Sequence, residues 1–445
     1  MRKSVVTSLL IYLAVAIATS MSGAAHAAPV LADFERFPQN GAAYLPSDPD
    51  APIVDPADQA ALAEEYLERF FAPWHSEDLS FLNLNMEDVI AYHRSVANRQ
   101  WYSPDGRPMA RSSVLAVAGN GALDVNAVPR SAIIIQPSDV RVLPYEGPVY
   151  QSQASALGSN GLLKADMLQN STAHLGEPAA VYGVSADSNW VFIATGTVVG
   201  WVRTQAVAAV NYDLMDIFVS SAKAVVTLDN VPVMAEQGNI LYNMKMGTIL
   251  PFRDGELLLP ARGGNIFADV AAIRPPPDVY AEFPVTFTPR NAVSAIDQLM
   301  GEPYGWGGSN GFRDCSAMTR DYFSLFGVWL PRNSADQAMT GERVLFRDVP
   351  VGERRAVIAD RGIPFATLLQ VPGHIMLYIG ASNGEPLVFH NMWGVSGQGE
   401  GRAVVGRAVV SGLRLGAEIP GKPAETLFVN RLAVMSFPTR EPSNQ

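Results

Sequence analysis

Residues 303–316 read Pro-Tyr-Gly-Trp-Gly-Gly-Ser-Asn-Gly-Phe-Arg-Asp-Cys-Ser, and Cys315 in this stretch is the one cysteine of a 445-residue chain. Asp314 has the side chain of a helix N-cap, which places Cys315 in the first turn of a helix predicted over 314–326 and closed by Gly327. A thiol there feels the positive end of the helix dipole, which favours the thiolate. Met318, Tyr322 and Phe326 follow at four-residue spacing and give the helix a side to bury. The glycines upstream let backbone approach a substrate closely. A lone cysteine cannot close an internal disulfide, so Cys315 is either a buried apolar bystander or a reactive thiol.

A thiolate nucleophile needs a base, and the base needs an orienting group. Among the six histidines, His374 opens the apolar run 375–380 directly after Pro372-Gly373, and His390 ends the run 387–390. Asn383-Gly384 between them marks a hairpin turn. On neighbouring strands, His374 can share the thiol proton while His390 holds it in the right tautomer. Both must then project from one face of the hairpin. Side chains alternate along a strand, so this requires a loop with an odd number of residues or a bulge. Either histidine alone reads as a satisfied strand-end residue. One Cys and two His can also ligate zinc, but no short-spaced ligand pair accompanies them. His75, His93 and His174 lie outside this region and read as structural or surface groups.

Outward from the cysteine, the chain changes texture several times. Arg2 and Lys3 precede an uncharged, largely apolar run over 5–21, and Ala25-His26-Ala27 fits a small-x-small cleavage site, so 1–27 reads as an export signal removed after Ala27. The run is short for a membrane span, and no later stretch is long and apolar enough for one. Residues 28–45 read as a tether. Helices are expected over 57–71, ended by Pro73, and over 87–97. From about 115 to 276, short Val/Ile-rich runs alternate with turns, as in small barrels. Pro275-Pro276-Pro277 reads as a stiff linker. The helix-then-strands order beyond it predicts an α+β domain. Ser334-Ala-Asp-Gln337 reads as a capping box on a further helix. The net charge of −11 without basic clusters argues against nucleic acid. An exported chain also makes a retained free thiol a liability unless it is used.

With Asp314-Cys315-Ser316, Gly373-His374 and its following strand, and His390 one strand later, the C-terminal region resembles the NlpC/p60 family of bacterial cell-wall cysteine peptidases. Residues 180–202 resemble a bacterial SH3 domain, and 210–275 a weaker second copy; Arg141 resembles part of the family's first SH3 strand. The resemblance implies a multidomain chain: a signal peptide (1–27), a helical N-terminal region (28–114), two small SH3-like β-barrels (115–208 and 209–276) and an α+β, papain-like catalytic domain (277–445). It implies hydrolysis of peptidoglycan stem peptides at the γ-D-glutamyl-L-diamino acid bond, outside the cytoplasm, with no metal or cofactor. Peptidoglycan or its muropeptide fragments would be the partner. Cys315 would be the nucleophile, His374 the base and His390 its orienting group. Asp314, Ser316 and Tyr304 resemble the family's residues for the free amine of an N-terminal L-Ala, and Trp306 would shape that pocket. Ala317 departs from the Gly the family often has after Cys-Ser. An amidase or acyltransferase with the same triad, or a wall-binding module without activity, are the rival readings.

Overall fold

The computed structural model describes residues 31–157, 165–234, 239–396 and 402–441; the expected signal segment 1–27 lies outside them. The described chain forms two compact units that are not consecutive in sequence. One comprises Glu65–Phe283 and Trp306–Gly311; the other runs through Glu64 and takes in Pro284–Gly305 and everything from Phe312.

In the first unit, seven antiparallel strands between Arg130 and Ala209 make one sheet. Its inner residues Val140, Ile193 and Val202 close a small core. Its other face, with Tyr182, Phe192 and Trp201, packs on Leu79, Met86 and Val89 of the helical region. The helix Met86–Ala97 is started by Asn85, whose side chain accepts the Asp88 N–H. A second β region, Lys223–Glu282, forms a five-stranded sheet and a separate two-strand hairpin around Val226, Val233, Leu250 and Leu259. The expected boundary at 276/277 cuts this sheet: strand Tyr280–Glu282, beyond the three prolines, returns to pair with Lys223–Val226. Prolines interrupt hydrogen bonding locally, and this run makes a crossing rather than a domain end.

Two further expectations fail here. Pro73 lies inside the helix Pro56–His75 rather than ending it. In the last turn a proline removes only one hydrogen bond, too little to stop a helix whose Phe70, Phe71 and Trp74 are buried. The stretch 28–45 is not a tether where it is described: Leu31 joins the core of the other unit, and Asp33 and Gln39 bond to its sheet.

The second unit is built on a six-stranded antiparallel sheet. Its strands are β1 (Glu342–Leu345), β2 (Thr367–Val371), β3 (His374–Ser382), β4 (Glu385–Ser396), β5 (Arg402–Gly412) and β6 (Val434–Phe437), in the order β1-β6-β2-β3-β4-β5. Helices α1 (Pro289–Leu299) and α2 (Cys315–Ser324) precede it, and α2 packs on β3 and β4. The face that carries Met376, Tyr378 and Val388 is apolar, and Met435 joins the same core. The outer edge of β5 is covered. Gly301 N–H bonds to Ala408 O, Ala408 N–H to Glu302 O and Tyr304 N–H to Gly406 O. Further along, the Gln39 amide both donates to Val410 O and accepts Val410 N–H, at 2.9 Å each, and Asp33 accepts Gly412 N–H.

Candidate active site

The nucleophile candidate sits where local chemistry starts a helix. Asp314 is extended (φ −86°, ψ −175°), and its Oδ1 accepts Ala317 N–H at 2.9 Å. Every residue of α2 is buried, and several of its polar side chains bond to neighbours. Thr319 Oγ1 donates to Gln337 Oε1 at 2.7 Å. Asp321 takes Arg313 Nε at 2.6 Å and Arg320 at 2.9 Å, and Arg313 also reaches Glu302. Gln337 Nε2 donates to Ser316 O and Pro331 O. The capping-box expectation is therefore corrected. The helix is only Ser334–Gln337, it has no side-chain cap, and Gln337 faces the cysteine's helix instead.

The stretch before α2 is fixed from two sides. Arg313 O accepts both Gly305 N–H and Asn391 Nδ2. Between these ties, Gly307, Gly308 and Asn310 have left-handed backbone. Trp306–Gly311 belongs to the first unit, where Gly307 O and Gly308 O accept from Gln169 Nε2 and Thr172 Oγ1, each at 3.1 Å. A Cβ on Gly308 would lie 2.2 Å from Thr172 Oγ1, and one on Gly307 2.6 Å from Gln169 O. These two glycines thus serve close packing on the strand Gln169–Ala173, not the approach of a substrate that their pattern suggested. Gln169 also accepts from the buried Arg141, which pairs with Asp166.

The two histidines lie on adjacent strands. The turn Asn383-Gly384 has two residues, both with positive φ, an even loop that by itself would put them on opposite faces. A bulge at Ile379, between the pairs Tyr378↔Val388 and Gly380↔Leu387, changes the parity. Extending the register beyond Leu377↔Phe389 sets Met376 opposite His390, with His374 two residues further along the same face. His374 Nε2 and His390 Nδ1 are 2.7 Å apart. His390 Nε2 lies 3.0 Å from Ser411 Oγ on β5. Phe428 packs against both rings, stacked on His374.

The Cys315 thiol is held at the mouth of β3. It takes a hydrogen bond from the backbone N–H of Ile375, one residue past His374, and shares another with the Tyr304 hydroxyl. Burial, then the Asp314 charge, push the thiol up to about 11, against the Ile375 N–H and Arg332. Burial, then Arg431, pull His374 down to about 4, with Asp314 opposing. Burial and the neighbouring His374 hold His390 well below its ordinary value. Burial also works to raise the Asp314 carboxyl. Arg332 outweighs it, through its charge and bonds of 2.7 and 3.1 Å, and the carboxyl stays below the usual range. Tyr304 is raised by burial and by its Cys315 and Asp314 neighbours, and its ring lies against Trp393.

Of the residues singled out in sequence, Tyr304, Asp314, Cys315, Ser316, His374 and His390 thus lie in one unit, and Trp306 in the segment assigned to the other. Sequence reading missed Arg332, Gln337, Asn391 and Ser411. Arg332, before a short helix, carried the one usable signal, since a buried N-cap carboxylate calls for a cation.

Several stretches of the chain are similar to known protein domains. Residues 301–392 match the model of the NlpC/P60 family, 163–203 that of an SH3 domain of the SH3b1 type, and 8–125 that of the NLPC_P60 N-terminal stabilising domain. Three stretches of the chain are thus similar to parts of multidomain NlpC/P60 proteins, the C-terminal one to the NlpC/P60 domain itself. Probable endopeptidases from two strains of Corynebacterium glutamicum are each 39% identical over 72 residues, 16% of this chain. The chain spans about a third of those relatives' length, 34% of each. An NlpC/P60 endopeptidase from Photobacterium damselae subsp. piscicida shares the fold across 92% of this chain and 98% of its own, with TM-score 0.81 and 24% identity.

Proposed function

We propose that this protein hydrolyses an amide bond in peptidoglycan stem peptides, the one joining the γ-carboxyl of D-Glu to a diamino acid. The observation that carries the reading is the Cys315 thiol on Ile375 N–H, beside a His374 that is itself bonded to His390. In the proposed reaction His374 takes the thiol proton as Sγ attacks the carbonyl. The Cys315 backbone N–H donates to the oxyanion that forms. Collapse of the intermediate breaks the C–N bond, and His374 returns the proton to the leaving amine. Water then attacks the thioester with His374 again as base, which frees the carboxylic acid and restores the thiol. His390 keeps His374 in its productive orientation.

Asp314, Ser316 and Tyr304 are proposed to face the free amine of an N-terminal L-Ala; Trp306 enters this proposal through the family resemblance alone. Arg332 already balances the Asp314 charge. The amine is therefore expected to contribute about 1.5 kcal/mol, the low end for a charged hydrogen bond, or roughly tenfold in rate. Export through a signal at 1–27 and an SH3-like identity for the second β region, 209–276, belong to the same reading. No helix among the described residues is long and apolar enough to cross a membrane.

The test is mass spectrometry of defined muropeptides after incubation with the protein. L-Ala-D-Glu-diaminopimelate should be cut after D-Glu, and Cys315→Ser should leave it intact. Cleavage at the muramic acid–L-Ala amide would instead make the protein an amidase. Equal kcat/KM for N-acetylated peptide would remove Asp314 from recognition.

A further inference from the structure

Behind the two histidines a third polar group lies on the same face of the sheet. Ser411 is opposite Val388, and Val409 opposite His390, so Ser411 stands diagonally next to His390 on β5. Both side chains are fully buried. A serine hydroxyl has one hydrogen to give, and that of Ser411 goes to Gly412 O at 3.1 Å. Its contact with His390 Nε2 at 3.0 Å must then run the other way, with Nε2–H donating to Oγ.

This direction propagates. A neutral imidazole carries one proton. With it on Nε2, His390 Nδ1 presents a lone pair, and the partner 2.7 Å away, His374 Nε2, must be the donor. A neutral His374 protonated at Nε2 has its free lone pair on Nδ1, the nitrogen left for the thiol proton. Were Ser411 to donate to His390 instead, every proton in the row would move to the opposite nitrogen, and His374 Nδ1 would carry a hydrogen and lose its basicity. The hydroxyl's bond to the Gly412 carbonyl opposes that arrangement, and the peptide carrying this carbonyl is tied by Leu413 N–H to Glu385 at 3.2 Å.

We propose that Ser411 is a positioning residue that sets the tautomers of His390 and His374 through the Gly412 carbonyl, and so selects Nδ1 of His374 as the base. It acts through His390 and touches no reacting atom. The inference rests on the hydrolase reading only in what it says the base is for.

The experiment is nitrogen NMR of the full chain with ¹⁵N-labelled histidine at neutral pH, alongside hydrolysis and alkylation of Cys315 by iodoacetamide. Besides each other, the charged groups that act on these rings are Asp314 from the α2 start and Arg431 beside Phe428. All are retained in the variants. Wild type should show both rings protonated at Nε2. Ser411→Ala should spread the His390 proton over both nitrogens and lower kcat roughly tenfold or more with little change in KM. Ser411→Thr, which keeps the hydroxyl on a strand, should restore both. Wild-type ring-nitrogen shifts in Ser411→Ala would overturn the proposal even if activity fell. The expected tautomers with a wild-type protein that alkylates but cleaves no amide would uphold it and sink the hydrolase reading instead.

Discussion

The proposed nucleophile and base, Cys315 and His374, both rest neutral near pH 7. With the thiol pushed up to about 11 and the imidazole held down to about 4, thiol and imidazole dominate between these limits in the free protein. Alkylation of Cys315 should therefore keep rising with pH toward about 11; a plateau below pH 8 would show a thiolate–imidazolium pair at rest. Acid acts on stability as well. His374 and His390 resist protonation when folded, whereas the unfolded chain takes up protons near the ordinary 6.5. The unfolded state binds more protons between these values, so the melting temperature should fall as pH drops from about 6.5 to about 4. Asp314 gives a third test. Removing its cation with Arg332→Met strands a buried charge and should cost about 3–5 kcal/mol in urea unfolding, and adding Asp314→Asn should return most of it. The start of a helix at Cys315 and the meeting of His374 with His390 were legible because an N-cap precedes the one thiol and a hairpin turn separates the two histidines. Arg332, Asn391 and Ser411 were not: each is a common polar residue whose role depends on a partner 16 to 88 residues away.

At the level of elements, the bulge at Ile379 decides whether there is a site at all. Deleting Ile379 should leave a regular two-residue hairpin and turn His374 to the face of the sheet opposite His390. The expected outcome is loss of hydrolysis and of pH-dependent alkylation in a protein that keeps its circular dichroism. Wild-type activity would mean that the strand slides to compensate. The hairpin itself was readable from Asn383-Gly384 between two apolar runs. The bulge was readable only as a requirement, because nothing in Tyr-Ile-Gly marks which residue is extra. The protected edge of β5 was invisible in sequence. Gln39 and residues 301–304 cover it without any strand-like alternation of their own. Gln39→Ala removes two hydrogen bonds from an edge, so it should lower stability by about 1–2 kcal/mol and raise the light scattering of concentrated samples.

The order of textures along the whole chain — helical, then β-rich, then α+β — was plain from composition and periodicity, and the SH3 match falls inside the expected β region. What periodicity cannot report is which distant segments share a core. Leu31 buries itself with Val371 and Met435, and the stretch 306–311 is counted with Gln169 and Thr172 rather than with the cysteine four residues on. A fragment beginning at residue 284 would lack Leu31, Asp33 and Gln39 and leave the Gly307 and Gly308 carbonyls without their donors Gln169 and Thr172. It should melt well below the full chain, and adding back 31–64 alone should recover part of the difference.

Those two glycines bear on ancestry. Their carbonyls are spoken for by Gln169 and Thr172, and their hydrogens occupy space that no other side chain could enter. A recombination event that replaced 65–283 with an unrelated module would inherit the loop but not the strand it fits. The peptidase region is thus not a cassette that can be shuffled freely. Lineages should pass it on together with its β-rich companion, and a change at Thr172 should be found alongside a change at Gly308.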